Sequence, residues 1–333
     1  MKRKIRWSAG FCLVMSVFFL MTMFETAYTK DLKYAHPNAP GTTVGRFAND
    51  LSKLVKERTN NQINIKVFPN SQLGGKDEMI DGVKVGTIEM GHNDYAAYSR
   101  LYDDLAVFNV PYLYRDANHA LKAISQDSPL IKKMNDKLIK EVGIRMIGNA
   151  YYGTRMLTCN TPVYKPEDLR GKKIRAIPTP IWIAMVEGMG AIPTPVDFAE
   201  LPTALATGIV QGQENPLTTI YNNKFYQMQK YLMLTSHMQA FLVVVINEKV
   251  WQGLTQDQRK IILDSSQETS KNILNLGIKE EDELIGKLRA AGMNIIGEKE
   301  GLDLKAFRDR VLNHSIQKFP QWAEYIKEIQ DIK

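Results

Sequence analysis

Apolar residues recur at two alternating spacings in the first part of the chain. Thr43–Arg58 places them three and four positions apart, which predicts an amphipathic helix, whereas Ile63–Phe68 is the apolar, β-branched run of a strand. A short strand is predicted at Asp31–Tyr34, and a second helix is predicted at Met79–Val85, before Gly86. The order strand, helix, strand, helix is typical of an α/β sheet.

The remaining pattern predicts a second set of elements that begins near Gly153. The longest is a helix over Thr255–Ala291, which opens with Thr255 and Gln258 as a capping box and closes at Gly292. At 1.5 Å per residue it would be about 54 Å long, more than the width of a small domain, so we expect it to span two lobes. The other elements predicted for this set are helices over Trp182–Met189 and Thr203–Thr207 and strands over Lys173–Ala176 and Phe241–Asn247. The first set ends with a helix over Asn118–Val142 and a strand over Ile144–Ile147.

The N-terminus has the pattern of a secretory signal peptide. A basic cluster at residues 2–6 precedes an apolar run from Ala9 to Phe24, and small or short side chains follow at Thr26, Ala27 and Thr29. The apolar run is shorter than the roughly 20 residues of a membrane span, although a retained N-terminal anchor is an alternative. We therefore predict a signal peptide over residues 1–29 and a periplasmic mature protein.

The charge balance changes once that segment is set aside. The whole chain of 333 residues has a formal net charge of +7, and residues 30–333 retain +4. Residues 30–333 contain no block of Lys and Arg interleaved with aromatic residues, so nucleic-acid binding is not predicted. Residues 30–333 contain one cysteine, Cys159, which excludes an internal disulfide and is interpreted as a buried, inert thiol. The length suggests two domains.

Signatures of catalysis are missing from the sequence. It contains no G-x-S-x-G, H-E-x-x-H, C-x-x-C or P-loop motif, and its five histidines do not have the spacing of metal ligands. We therefore predict neither an enzyme nor a metal or other cofactor.

Four polar blocks follow one another in the middle of the chain. They are G-x-R at residues 153–155, P-x-D-L-x-G-x-K-I-R at 166–175, G-A-x-P-T-P at 190–195 and G-Q-E-N-P at 212–216. Their order and spacing, together with the segments KYAHPNAPG, FPNSQLGG, GTIEMG and VPYLYRD, resemble the periplasmic substrate-binding proteins of TRAP transporters, in the dicarboxylate-binding family. The resemblance extends over essentially all of residues 30–333.

This resemblance implies two α/β lobes around a ligand cleft, with a long helix across both. It places lobe I at residues 30–152 plus about 241–275, and lobe II at residues 153–240 plus about 276–333. It also implies a monomer that binds a small organic acid, such as a C4-dicarboxylate or a sugar acid. The expected partners are the small and large membrane subunits of a TRAP transporter.

The resemblance also assigns roles to individual residues. Arg175 is expected to grip the ligand carboxylate, because a planar guanidinium matches a carboxylate with two parallel hydrogen bonds. Arg155 resembles a second, more peripheral cation, and Asn215 resembles an amide that positions the same carboxylate. Phe198 would form an apolar wall, and Asp94 would meet the distal, hydroxylated end of the ligand. His36 is a further candidate in the first lobe.

Two other functions remain open at this point. A ligand-sensing module could use the same cleft and dock onto a signalling receptor, and an exported hydrolase could act on a molecule held there. The missing nucleophile and metal signatures disfavour the hydrolase.

Overall fold

The computed structural model describes residues 29–333, which contain nine β-strands and eleven α-helices. The predicted signal peptide lies outside these residues except for Thr29. Among residues 29–333, no helix is long and apolar enough to cross a bilayer. The strands are β1 (Lys30–Ala35), β2 (Ile63–Phe68), β3 (Met90–Asp94), β4 (Ile144–Cys159), β5 (Lys173–Ala176), β6 (Ile192–Pro195), β7 (Gly212–Pro216), β8 (Tyr231–Asn247) and β9 (Asn294–Ile296). The helices are α1 (Thr43–Arg58), α2 (Lys76–Val85), α3 (Ala117–Ala123), α4 (Pro129–Val142), α5 (Pro180–Gly188), α6 (Leu201–Ala206), α7 (Leu217–Asn222), α8 (Glu248–Gln252), α9 (Gln256–Ala290), α10 (Leu304–Lys318) and α11 (Ala323–Gln330).

All nine strands join one mixed sheet in the order β2-β1-β3-β8-β4-β7-β5-β6, with β9 paired to β8. Strands β4 and β8 are antiparallel partners along most of their length. At one end β8 pairs with β3, and at the other end β4 pairs with β7 while β8 pairs with β9. The two long strands therefore pass from a first lobe built on β1–β3 into a second lobe built on β5–β7.

The lobe limits expected near residues 152 and 240 fall inside these two strands. Gly153 and Ala240 are paired across the ladder, and the register shifts between Tyr151 and Gly153. Gly153 has φ +128°, a backbone angle that favours glycine. A register shift of this kind is typical of a β-bulge, a feature that locally bends the bulged strand.

Helix α9 contacts both lobes. Thr255 and Gln258 form the predicted capping box, and 35 residues at 1.5 Å each give a length of about 52 Å. The helix packs on α1 in the first lobe and on α7 in the second. Arg46 of α1 donates two hydrogen bonds to Glu280 of α9. The long predicted helix is therefore a real connection between the lobes.

Three predicted elements, one helix and two strands, differ most from the structure in extent. The single helix expected over Asn118–Val142 is divided into α3 and α4, because Pro129 lacks a backbone N–H and starts a new helix. The strands expected at Ile144–Ile147 and Phe241–Asn247 extend to Cys159 and back to Tyr231. Polar residues interrupt the apolar runs of both strands, but the backbone of these polar residues still takes part in the pairing of β4 with β8.

Candidate functional site

The cleft between the two lobes contains a cavity lined by residues from both lobes and from the crossing strands β4 and β8. The lining includes five of the six predicted site residues. From the first lobe come Pro37, Asn38, Lys76, Asn93, Asp94 and Asn109; from the second come Arg155, Arg175, Ile177, Pro178, Trp182, Asp197, Phe198 and Asn215; and from the connecting part of β4 and β8 come Tyr152, Ala240, Phe241 and Leu242.

Arg175 is a buried cation without an anionic partner in the described structure. It lies at the third position of β5, and only 2% of its surface is exposed. Its Nε donates a 2.9 Å hydrogen bond to the carbonyl oxygen of Val196, and within residues 29–333 no carboxylate oxygen lies within 4.0 Å of its guanidinium. Burial lowers the pKa of Arg175 to about 10, since the charged form is poorly solvated there. The group remains charged at neutral pH and has hydrogen-bond donors available for an anion.

Arg155, in contrast, is already neutralised. It lies on β4 next to Glu214 of β7, and both side chains are almost fully buried. Its Nε and one terminal nitrogen donate hydrogen bonds of 2.5 and 2.9 Å to the two carboxylate oxygens of Glu214. The guanidinium also lies over the ring of Trp182, 4.7 Å from its centroid. Arg155 therefore lines the cavity as one half of an ion pair.

A histidine completes this buried network. The Nε2 atom of His237 is 3.0 Å from Glu214, and its Nδ1 is 2.8 Å from the hydroxyl of Thr235. Burial alone would raise the pKa of Glu214, but Arg155 and His237 outweigh it and lower that pKa to about 2. Burial lowers the pKa of His237, so its imidazole is neutral and donates to the carboxylate. The network fixes the orientation of Arg155.

Asn215 is hydrogen-bonded to the same network. Its Oδ1 accepts a 3.1 Å hydrogen bond from Arg155, and its Nδ2 donates a 2.6 Å bond to Gln213. Each polar atom of this amide has one protein partner and Asn215 also lines the cavity, so it contacts Arg155 at the edge of the site.

Phe198 and Asp94 line opposite sides of the cavity. Phe198 is partly exposed and packs edge-on against Phe225, with ring centroids 6.4 Å apart. Asp94 ends β3, and its Oδ1 accepts hydrogen bonds from the backbone N–H of Ala97 and from Nε1 of Trp182. The second bond, at 3.3 Å, joins the first lobe to the second.

His36 does not line the cavity, unlike the other five candidates, so the structure gives no support for a direct ligand contact. Its ring is fully buried and is stacked on His92, with centroids 4.4 Å apart. Its Nδ1 accepts a 3.2 Å hydrogen bond from the backbone N–H of Asn38. The side chain at position 36 is directed into the core behind the cleft, which the sequence pattern did not reveal.

The buried His36 predicts a pH-dependent stability. Burial lowers its pKa to about 4, below the usual value of 6.5, so the unfolded chain binds a proton more readily. The free energy of unfolding should therefore fall by up to about 3 kcal/mol as the pH decreases from 6.5 to 4. His36→Asn should be less stable at pH 7 but lose less stability between pH 7 and 4.5, measured by urea denaturation.

The wild-type protein, denatured over the same range of pH, provides the comparison. If His36→Asn retains the full wild-type dependence on pH, His36 is not its source.

Several lining residues were missed by the sequence analysis. Lys76, Asn93 and Asn109 belong to no motif that we singled out. Asn38 lies within KYAHPNAPG but was assigned no role, and Glu214 was noticed only as part of G-Q-E-N-P. Their positions next to the recognised segments FPNSQLGG and GTIEMG were a usable signal for Lys76 and Asn93.

A larger cavity of about 790 Å³ lies outside the cleft, between α3, α4 and the first half of α9. Its arginine, Arg145, donates hydrogen bonds of 2.7 and 2.8 Å to Glu248, and its lysines, Lys122 and Lys271, are exposed. Among the described residues this cavity offers no buried, unpaired cation. The interlobe cleft is therefore the candidate site for an anion.

The model of the bacterial extracellular solute-binding proteins, family 7 (DctP), matches residues 34–319. The chain belongs to this family. A relative from Escherichia coli (strain K12), the 2,3-diketo-L-gulonate-binding periplasmic protein YiaO, is 33% identical over 315 residues, which cover 91% of this chain and 92% of the relative.

Solved structures of solute-binding proteins have the same fold. The TRAP periplasmic solute-binding protein of Actinobacillus succinogenes 130z, with bound L-galactonate, has a TM-score of 0.83 and 32% identity, covering 91% of this chain and 98% of that one. Its counterpart from Polaromonas sp. JS666, bound to D-erythronate, has a TM-score of 0.83 and 27% identity, covering 91% and 99%. The predicted two-lobed α/β fold and the family are thus confirmed, and these relatives are solute-binding proteins.

Proposed function

We propose that the protein captures a small organic acid in the interlobe cleft, with Arg175 as the carboxylate clamp, and delivers it to a TRAP transporter. The observation that carries this proposal is the buried guanidinium of Arg175, which has no carboxylate partner within residues 29–333. A buried charge without a partner is unfavourable, and a bidentate carboxylate supplies both the opposite charge and the missing hydrogen bonds.

The surrounding residues determine how the carboxylate is received. Arg155 lines the cavity as part of a buried ion pair with Glu214, in which the two charges offset each other, and Asn215 holds Arg155 in place. Phe198 supplies an apolar wall that excludes water. In such a partly desolvated site one charged pair and a few polar contacts are sufficient for a micromolar affinity, about −8 kcal/mol.

Closure of the two lobes is the proposed means of capture. The ligand contacts residues of both lobes, so it binds the closed form more tightly and shifts the equilibrium toward it. The hydrogen bond between Asp94 and Trp182 already joins the lobes, and the bulge beside Gly153 supplies a bending point. We place the limits of lobe I at residues 30–152 plus about 241–275, and those of lobe II at residues 153–240 plus about 276–333.

Delivery requires export and membrane partners. We propose that residues 1–29 direct the chain to the periplasm and are removed, and that the mature monomer docks onto the small and large membrane subunits of the transporter. A role as the ligand-sensing module of a signalling receptor would use the same cleft. Hydrolysis is a weaker alternative, since no nucleophile and base pair was found in the sequence.

A thermal-shift screen of organic acids tests this function. A ligand that binds only the folded state raises the melting temperature, by an amount that grows with its concentration above the dissociation constant. We expect C4-dicarboxylates, aldonates and oxo acids to include at least one stabilising ligand, and mass spectrometry should recover it unchanged. Failure of every acid to bind would contradict the receptor function, and conversion of the ligand would favour the hydrolase.

A further inference from the structure

We propose that Glu281 of α9 is a positioning residue for ligand binding, which holds a bulge in β4 so that Tyr152 and Arg155 both face the interlobe cleft. This inference rests on the proposed function, because it takes the cleft as the ligand site. It goes beyond that function, since Glu281 does not line the cavity itself and acts through residues that do.

Strand β4 has one extra residue where it passes the cleft. Tyr151 and Gly153 pair with consecutive residues of β8, so two steps along β4 match one step along β8. In a regular strand, residues three positions apart face opposite sides of the sheet. Tyr152 and Arg155 are three positions apart, yet both line the cavity, and the Arg155 guanidinium lies 6.0 Å from the centroid of the Tyr152 ring. The extra residue therefore brings both side chains to the same side.

The side chains that alternate with these two contact Glu281. The hydroxyl of Tyr151 and the backbone N–H of Thr154 donate hydrogen bonds of 2.8 and 2.6 Å to Oε1, and the hydroxyl of Thr154 donates one of 2.9 Å to Oε2. Pairing of β4 with β7 starts at Arg155, so the N–H of Thr154 has no partner in β7 and is satisfied by Glu281 instead. One carboxylate thus binds both ends of the bulge.

Close packing at Gly153 keeps this carboxylate next to the strand. A Cβ atom at position 153 would lie 2.9 Å from Cβ of Pro216 and 3.2 Å from Oε1 of Glu281. The bulge therefore packs directly against β7 and α9, and it has no space for a side chain at this point. Because α9 contacts both lobes, Glu281 connects the interlobe helix to the part of β4 where the lobes meet.

The hydrogen bonds predict that glutamine can replace this carboxylate and that alanine cannot. The hydroxyl of Thr154 also lies 3.0 Å from Oε1 of Gln239. In Glu281→Gln the amide oxygen still accepts from Tyr151 and from the N–H of Thr154, while the NH₂ group donates to the Thr154 hydroxyl, which then donates to Gln239. Glu281→Ala removes all of these bonds. The position of the bulge therefore depends on hydrogen-bonding groups at residue 281 and not on its charge.

Hydrogen–deuterium exchange of the ligand-free mature protein tests the hold on the bulge. We expect the backbone N–H groups of residues 152–155 to exchange at least tenfold faster in Glu281→Ala, and within threefold of the wild-type rate in Glu281→Gln. Glu283→Ala is the matched control, because Glu283 is an exposed glutamate of the same helix that is paired with Lys287. Unchanged exchange in Glu281→Ala would overturn the proposal. An equal increase throughout the protein would also overturn it, since that result is expected for a purely structural role.

Calorimetry connects the bulge to binding. The probe is the tightest binder among succinate, L-galactonate and D-erythronate. Glu281→Ala should weaken its binding at least tenfold, whereas Glu281→Gln and Glu283→Ala should change it less than threefold. Wild-type affinity in Glu281→Ala would refute the positioning role and leave the proposed function intact. Failure of every acid in the wider screen would refute the function and with it a binding role of Glu281, whereas the exchange result would still show whether Glu281 holds the bulge.

Discussion

Replacing Arg175 by alanine or by lysine should lower the ligand affinity at least tenfold, measured by calorimetry. Alanine removes the charge, and lysine keeps it but cannot form two parallel hydrogen bonds with a carboxylate. Tenfold corresponds to about 1.4 kcal/mol, a modest loss for a buried charge-assisted hydrogen bond. The stability of the ligand-free protein should rise or stay unchanged in both variants. Without ligand, the guanidinium of Arg175 is a buried charge with no carboxylate partner in the described chain.

Opposite effects on binding and stability distinguish a ligand clamp from a structural arginine. The melting temperature of the ligand-free Arg175→Ala protein should equal or exceed that of the wild type. Arg170→Ala provides the control, since Arg170 is exposed and does not line the cleft. Unchanged binding by both Arg175 variants would eliminate the clamp.

Glu214→Gln should destabilise the ligand-free protein by about 3–5 kcal/mol, measured by urea denaturation. The substitution leaves the buried guanidinium of Arg155 without a counter-charge, and breaking a buried pair by removing one partner is strongly unfavourable. The exposed pair between Arg310 and Glu167 provides the control, and Glu167→Gln should cost less than about 1 kcal/mol. Comparable losses in the two variants would contradict the structural role of Glu214.

The same pair makes a prediction about acid stability. The pKa of Glu214 is lowered to about 2 by Arg155 and His237 against the effect of burial, whereas its unfolded value is about 4.5. A lowered carboxylate pKa contributes stability above the unfolded value, and that contribution is lost as the pH falls from about 4.5 toward 2. Glu214→Gln should lack this component. Glu214→Asp, which keeps the charge on a shorter side chain, provides a second variant if the glutamine protein fails to fold.

Local patterns were sufficient where neighbouring residues determine the structure. Helix α1 and strand β2 have the bounds that were predicted, because hydrophobic spacing within each segment matches the period of one element. The capping box of α9 was also read correctly from two residues three positions apart. The lengths of β4 and β8 were not predicted correctly, because polar residues interrupt their apolar pattern and find hydrogen-bond partners elsewhere in the sheet.

The candidate site was predicted only in part for a similar reason. The ordered blocks identified the family and selected five residues that line the cleft. They could not indicate that Glu214 neutralises Arg155, that His36 is stacked on His92 behind the cleft, or that Lys76 faces it. Each of these facts depends on contacts between segments that are distant along the chain.

The sequence by itself therefore determined the family, the α/β class, the long interlobe helix and the choice of Arg155 and Arg175 as candidate site residues. These depend on local spacing and on blocks in a recognisable order. Only the tertiary structure decided which of the two arginines has its charge free for a ligand. Both are buried arginines that follow a short motif, and the difference between them is whether a carboxylate from another strand lies within hydrogen-bond distance. That proximity is created by the pairing of β4 with β7, which brings residues some 60 positions apart into contact.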